Sequence, residues 1–197
     1  TLDDTNQKWN GAASMLFEAA NNDSLSLTTT PLVFGFFDFT IEMWLYAISG
    51  FGTNEHPGLI EQFDNNNDRW NFTVNNEFSS GIELFDDIGN RGNSVVKEGS
   101  NRTGPSDTWF HVALTRQGTT HRIFVDGALQ ASSSYSNDFT DTSGSTNIGV
   151  FADESKYFNG NMTSVRITKG VARYTAAFIP PTRPFPTRRF VSGIIQP

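Results

Sequence analysis

Cysteine is absent from the 197-residue chain, which excludes disulfide staples, a thiolate nucleophile and thiolate metal ligands, and leaves assembly in a reducing cytoplasm open. Leu, Lys and Glu are scarce, with only four Lys, so long surface helices lack their usual material. No apolar run approaches the length of a bilayer-spanning helix, and the opening Thr-Leu-Asp-Asp lacks the basic and apolar regions of a signal peptide, so a soluble domain is expected. Strands alternating with helices are missing, as is any internal repeat, which argues against a parallel α/β sheet or a solenoid. Acidic residues are missing after Glu154.

What fills the chain instead is aromatic and turn-forming. Aromatics make up 13% of residues, 18 of them Phe, and Ser, Thr, Asn and Gly are abundant, a composition suited to pleated, half-buried surfaces joined by many turns. Phe39, Ile41, Met43 and Leu45 alternate with Thr40, Glu42, Trp44 and Tyr46, which predicts a strand with one core face. Phe110, Val112 and Leu114 alternate likewise with Trp109, His111, Ala113 and Thr115. The Gln117-Gly-Thr-Thr120 stretch returns this strand into one over 121–125, and Asp126-Gly127 supplies the positive φ angles of a tight primed turn, pairing 123–125 with 129–131. Further strands are predicted over 14–17, 25–27, 59–63, 70–74, 81–85, 94–97, 147–151 and 161–168. Short strands at such spacing are the pattern of a sandwich or barrel, and the length suits one all-β domain.

The charge is divided along the chain. Residues 1–155 hold seven basic residues against all 21 acids, a net −14, while residues 156–197 hold seven basic residues and no acid, a net +7. The overall excess of acid argues against nucleic-acid binding by the body. After Tyr174 the strand pattern gives way to Ala-Ala-Phe-Ile-Pro-Pro-Thr-Arg-Pro-Phe-Pro. Proline fixes φ and removes donors, so this stretch is expected to lie extended on the outside of the sandwich, with Phe178, Ile179 and Phe185 against it. The expected division is a sandwich over 1–175 and a basic, proline-rich arm over 176–197. Arg183, Arg188 and Arg189 are expected to pair with acidic patches of adjoining subunits, and Phe190, Ile194 and Ile195 to bury in them.

Five segments, in order, carry a family resemblance: Phe39-Thr-Ile-Glu-Met-Trp-Leu-Tyr46, Trp109-Phe-His-Val-Ala-Leu-Thr-Arg116, Ile123-Phe-Val-Asp-Gly127, Asn147-Ile-Gly149 and Phe158-Asn-Gly-Asn-Met-Thr-Ser-Val-Arg-Ile-Thr168. On these the chain resembles the laminin G-like jelly-roll modules of the concanavalin A-like lectin/glucanase superfamily, and its continuation Thr168-Lys-Gly-Val-Ala-Arg-Tyr-Thr175 resembles the version found in tailed-phage structural proteins. The resemblance implies two antiparallel sheets packed face to face, used for adhesion or glycan binding. It names no ligand, since function is grafted onto such folds.

Glucanases of this fold place an acid and a nucleophile on one strand face in a Glu-x-Asp-x-Glu pattern. Here Glu61 and Asp64, and Glu83 and Asp86, have the opposite parity, so hydrolysis is not expected. Asp64, Asn66 and Asp68 offer oxygen ligands at alternate positions for a rim Ca2+, although Arg69 and Asn75 stand where an EF-hand needs Gly and Glu. Trp70, with Asn66 and Asp64, is the expected glycan contact, Trp70 as an exposed ring. The function expected first is that of a non-enzymatic virion component of a tailed phage, on capsid or tail, assembled in the host cytoplasm with other virion proteins and copies of itself. The alternative is a lectin domain that reads host or environmental glycans.

Overall fold

In a computed structural model of the chain, residues 2–3, 9–10, 13–27, 32–48, 56–65, 68–75, 81–89, 91–99, 107–140, 144–151 and 155–185 are described. Their strands are β1 (Leu2–Asp3), β2 (Ser14–Phe17), β3 (Leu25–Leu27), β4 (Phe39–Ala47), β5 (Gly58–Asn65), β6 (Asp68–Asn75), β7 (Gly81–Asp86) and β8 (Asn93–Lys97). The second half adds β9 (Trp109–Gln117), β10 (Thr120–Val125), β11 (Ala128–Ser134), β12 (Ser145–Ile148), β13 (Val150–Phe151), β14 (Lys156–Tyr157) and β15 (Gly160–Lys169). One 3-10 turn, Ala19–Asn21, is the helical element among these residues.

Two antiparallel sheets form the sandwich. One has the order β1-β2-β15-β4-β9-β10-β11, the other β3-β12-β5-β6-β7-β8, and β13 pairs with β14 beside them. The period-2 pattern decides what lies between the sheets. Ile41, Met43 and Leu45 of β4, and Phe110, Val112 and Leu114 of β9, meet Trp70, Phe72 and Val74 of β6 and Ile82 and Leu84 of β7 in one buried cluster. Phe34 stacks on Phe39 with ring centroids 4.3 Å apart and tilts against Trp70 at 5.4 Å, closing one end of it. The predicted Asp126-Gly127 turn is present, with φ +48 and +77.

Three expectations change. The strand predicted over 147–151 breaks into β12 and β13 at Gly149, which sits at φ +83 with the Phe17 ring so near that a Cβ would come within 2.5 Å of it. Trp70 is not a rim aromatic: only 1% of it is exposed, because its strand parity matches Phe72 and Val74. Ile179 does not rest on the sandwich and is 89% exposed, since in the extended segment Phe178 turns inward and its neighbour outward.

Candidate functional site

The sandwich has two outer faces, and the described residues treat them differently. On the seven-stranded sheet Thr40, Glu42, Trp44 and Tyr46 of β4 stand opposite Thr115, Ala113, His111 and Trp109 of β9. A bulge in β15 between Thr163 and Arg166, where Ser164 takes φ +51, brings Arg166 opposite Glu42. The Glu42 carboxylate is fully buried and accepts from Arg166 Nε at 2.7 Å, His111 Nε2 at 3.2 Å and the Tyr174 hydroxyl at 2.9 Å. Burial alone would raise its pKa, but these bonds and the Arg166 charge outweigh that and hold it below the usual carboxylate value. Burial and the neighbouring carboxylate push Tyr174 the other way, up to about 12.

This face is covered by the segment 171–185. Thr40 Oγ1 donates to the Val171 carbonyl and accepts from Arg173 N, both at 2.9 Å, and Thr115 Oγ1 donates to the Tyr174 carbonyl at 2.9 Å. The Tyr174 and Phe178 rings stack 3.5 Å apart, and Phe178 sits edge-on to Phe124 and His111. Phe178 N donates to the Gly127 carbonyl at 3.0 Å, so close that a Cβ on Gly127 would lie 1.8 Å from the Phe178 carbonyl oxygen. Farther along, the Asn10 amide donates to the Thr182 carbonyl and the Arg166 guanidinium lies 3.6 Å over the Phe185 ring. Sequence reasoning expected an extended covering segment and it is there, running without a break through residue 175. Arg183 is exposed in it, while Arg188, Arg189, Phe190, Ile194 and Ile195 lie outside the described residues.

The outer face of the six-stranded sheet carries a row of polar side chains instead. Asn147 of β12 stands opposite Glu61 of β5, Glu61 opposite Asn71 of β6, and Asn71 opposite Phe85 of β7. One step along, Thr73 stands opposite Glu83. Glu61, Asn71, Glu83 and Asn147 are all buried. Asn147 Nδ2 donates to Glu61 Oε1 at 3.0 Å and Asn75 Nδ2 to Glu83 Oε2 at 2.8 Å, while the buried Asn71 Nδ2 has no hydrogen-bond partner among the described residues. Arg69 on the same face lies 3.8 Å from Asp87, with its guanidinium 5.0 Å from the Phe151 ring and 6.0 Å from Phe85. Glu83 faces outward, and Asp86 of the same strand turns to the opposite side, where it accepts from the Tyr135 hydroxyl at 2.6 Å and pairs with Arg91 at 3.1 Å.

Of the residues expected to hold glycan or Ca2+, Trp70 is in the core, stacked among Phe34 and Phe139. Asp64 is exposed near the end of β5, which pairs with β6 as far as Asn65 and Asp68. Asn66 and the Asp68 side chain lie outside the described residues. Among the described residues no three His, Asp or Glu side chains converge on a metal-sized space. The row through Glu61, Asn71 and Asn147 was not singled out from the sequence, although the alternation Arg69-Trp-Asn-Phe-Thr-Val-Asn75 contains the signal: if Phe72 and Val74 face the core, so does Trp70, and Asn71 faces out.

A two-sheet antiparallel sandwich with a polar row on one outer face and a covered second face is the architecture of a lectin-like jelly roll. The family described as the concanavalin A-like lectin/glucanases superfamily, of laminin G type, matches residues 19–173, and the chain belongs to it. No curated protein matches the chain in sequence. Among solved structures, domain 4 of AbnA, a GH43 extracellular arabinanase from Geobacillus stearothermophilus, in complex with arabinotriose, has a TM-score of 0.65 at 15% identity, over 87% of this chain and 76% of that one. A putative carbohydrate binding protein from Bacteroides ovatus has a TM-score of 0.57 at 18% identity, over 82% of this chain and 44% of the other. The enzymatically active domain of tailspike protein 2 from bacteriophage CBA120 has a TM-score of 0.57 at 13% identity, over 81% and 26%. This chain thus spans less than half of the latter two, and at these identities the likeness concerns fold alone.

Proposed function

We propose that the chain is a glycan-binding module that uses the outer face of its six-stranded sheet. The observation that carries the reading is the buried row Asn147, Glu61 and Asn71, with Glu83 beside it and the Asn71 amide lacking an acceptor among the described residues. Sugar hydroxyls both donate and accept, so planar carboxylates and amides held on a rigid sheet match them, and the half-buried Phe85 ring supplies apolar surface for a sugar's C–H face. The similarity of fold to domain 4 of AbnA, whose structure is in complex with arabinotriose, supports the same reading. Residues 171–185 occupy the other face, and since Glu61 and Asn71 are themselves only 0% and 1% exposed, a sugar reaches this row by displacing what lies over it.

Binding without hydrolysis is part of this reading. Glu61 and Glu83 stand two strands apart and two residues out of register, which sets their Cα atoms roughly 12 Å apart by strand geometry. Carboxyl groups so placed reach the roughly 5–9.5 Å spacing of a glycosidase pair only if the two side chains lean toward each other.

The test is a glycan array, followed by calorimetric titration of any binder, with and without chelator. Asn71→Ala should weaken affinity about 2- to 10-fold and Glu61→Gln about 10-fold or more at unchanged fold, since a hydrogen bond is worth about 0.5–1.5 kcal/mol between neutral groups and about 1.5–3 kcal/mol when one partner is charged. Binding lost on chelation would show that a divalent cation takes part, and Asp64→Ala would test whether the Asp64, Asn66 and Asp68 segment holds it. No binding across neutral, acidic and amino sugars would refute the reading.

A second reading, a surface component of a tailed-phage virion on capsid or tail, is supported by the similarity of fold to the CBA120 tailspike domain and by the net +7 of residues 156–197. In it the exposed Arg183 and the segment with Arg188, Arg189, Phe190, Ile194 and Ile195 attach the module to other virion subunits. Particles assembled with a chain ending at Pro186 would then lack the protein, and normal incorporation would contradict it.

A further inference from the structure

We propose that the loop 34–38 is a second sugar-contacting surface, in which the Phe36 and Phe37 rings take the C–H face of a pyranoside; the proposal rests on the glycan-binding reading and adds a contact outside the six-stranded face. Phe36 and Phe37 are 69% and 62% exposed, whereas every other described phenylalanine is buried or half-buried. The loop that holds them out is fixed from several sides. Phe34 N and Gly35 N donate to the Phe139 carbonyl at 3.1 and 3.0 Å, Phe139 N donates back to the Gly35 carbonyl at 3.0 Å, and Phe37 N closes a turn onto the Phe34 carbonyl at 3.1 Å. Arg116, 1% exposed, donates from Nη1 to the Gly35 carbonyl at 2.9 Å, with its guanidinium 6.0 Å from the Phe36 ring centroid. At the far end Gly118 N donates to Asp38 Oδ1 at 2.7 Å and Gly170 N to the Asp38 carbonyl at 2.6 Å.

Two rings held in water by a fixed loop are in place before any partner arrives, so binding there costs little ordering. Their size selects the partner. At these exposures the rings present roughly 250 Å² of apolar surface. A stable protein interface needs about 800 Å² from each side, and one myristoyl chain, itself only a marginal membrane anchor, offers more apolar area. One or two sugar rings match. The C–H face of a pyranoside such as a β-galactoside or β-glucoside packs on an aromatic ring while its hydroxyls point sideways to polar groups. Such groups border the rings: the exposed Lys169 places Nζ 5.2 Å from the Phe37 ring centroid, and Asp38 Oδ2 takes no hydrogen bond among the described residues. The exposed aromatic surface expected of Trp70 is thus supplied by neighbours of Phe34, the ring that Trp70 packs against.

The experiment titrates the full chain and its Phe36→Ala, Phe37→Ala and Ile179→Ala variants with cellotriose, β-galacto-oligosaccharides and arabinotriose by calorimetry. All three side chains are exposed, so the variants should melt within about 2 °C of wild type. The expected result is pyranoside binding weakened about 2- to 10-fold by each Phe variant and unchanged by Ile179→Ala, the control for an exposed apolar side chain elsewhere. Sugar binding that both Phe variants keep while Asn71→Ala weakens it overturns this proposal and leaves the glycan-binding reading standing. Binding of arabinotriose without binding of either pyranoside probe does the same. If the Phe variants leave sugar affinity alone but abolish sedimentation with phosphatidylcholine vesicles, or self-association in the ultracentrifuge, the rings serve a bilayer or a second copy and the sugar contact is overturned. If no probe and no glycan on the array binds, the glycan-binding reading fails and this proposal falls with it.

Discussion

Replacing Glu42 by Gln tests whether the covering segment is held by a charged network or merely lies on the sheet. The carboxylate is fully buried and takes three donors, from Arg166, His111 and Tyr174, and Arg166 is a cation in contact at 2.6 Å. Gln keeps the shape, loses the charge, and points an N–H at one of those donors. Hydrogen bonds to a charged acceptor are worth about 1 kcal/mol more than those to a neutral one, and three such losses amount to about 3 kcal/mol. Breaking a fully buried pair costs about 3–5 kcal/mol, and the partial exposure of Arg166 places this case at the lower end. For a chain of this size that corresponds to a fall in melting temperature of roughly 6–12 °C by calorimetry. The pH dependence adds a second check. Glu42 has a folded-state pKa below its unfolded value, so its contribution is present above the ordinary carboxylate range and is lost as pH falls through the folded value. The gap between wild type and variant should therefore close in acid. A fall of less than 2 °C, or a gap that stays constant down to pH 2, would refute the network.

Three further outcomes follow from the same structure. His121 is buried in the core with its pKa lowered to about 4, by burial first and the Arg116 charge second; folded-state stability should drop by up to about 3 kcal/mol as pH falls from 6.5 to 4, and His121→Phe should abolish that drop in urea melts. Gly127→Ala meets both a φ of +77 and the Phe178 carbonyl, so limited proteolysis should cut the chain between residues 175 and 185 in the variant and spare it in wild type. Trp70→Ala should cost about 3–5 kcal/mol of stability, and near-wild-type glycan affinity in whatever fraction stays folded would confirm that this ring supports the core and touches no sugar.

Much of the fold was legible because parity is a local signal. The strands around Phe39, Trp109 and Asn161 are where alternation places them, and Asp126-Gly127 turns as its residue types require. The opposite parity of Glu83 and Asp86 was also readable, and they do face opposite sides. The strand break at Gly149 was not, because it depends on the Phe17 ring, distant in sequence, filling the space of a missing Cβ. Nor was the Glu42, His111, Arg166 and Tyr174 cluster: its members come from three strands and the C-terminal segment, and a one-residue bulge decides that Arg166 and not Val165 meets Glu42. The error over Trp70 had a different origin. The residue type suggests a sugar platform, but the alternation of its own strand puts tryptophan inside and asparagine outside.

The most direct measurement is an NMR titration of the labelled chain with a neutral oligosaccharide such as arabinotriose, or any binder found on the array, following side-chain amide signals. The account predicts saturable shifts of the Asn71 and Asn147 side-chain NH2 groups, with the Trp70 and Tyr174 signals unmoved. Shifts confined to the segment 171–185 and the strands beneath it, with Asn71 silent, would contradict it.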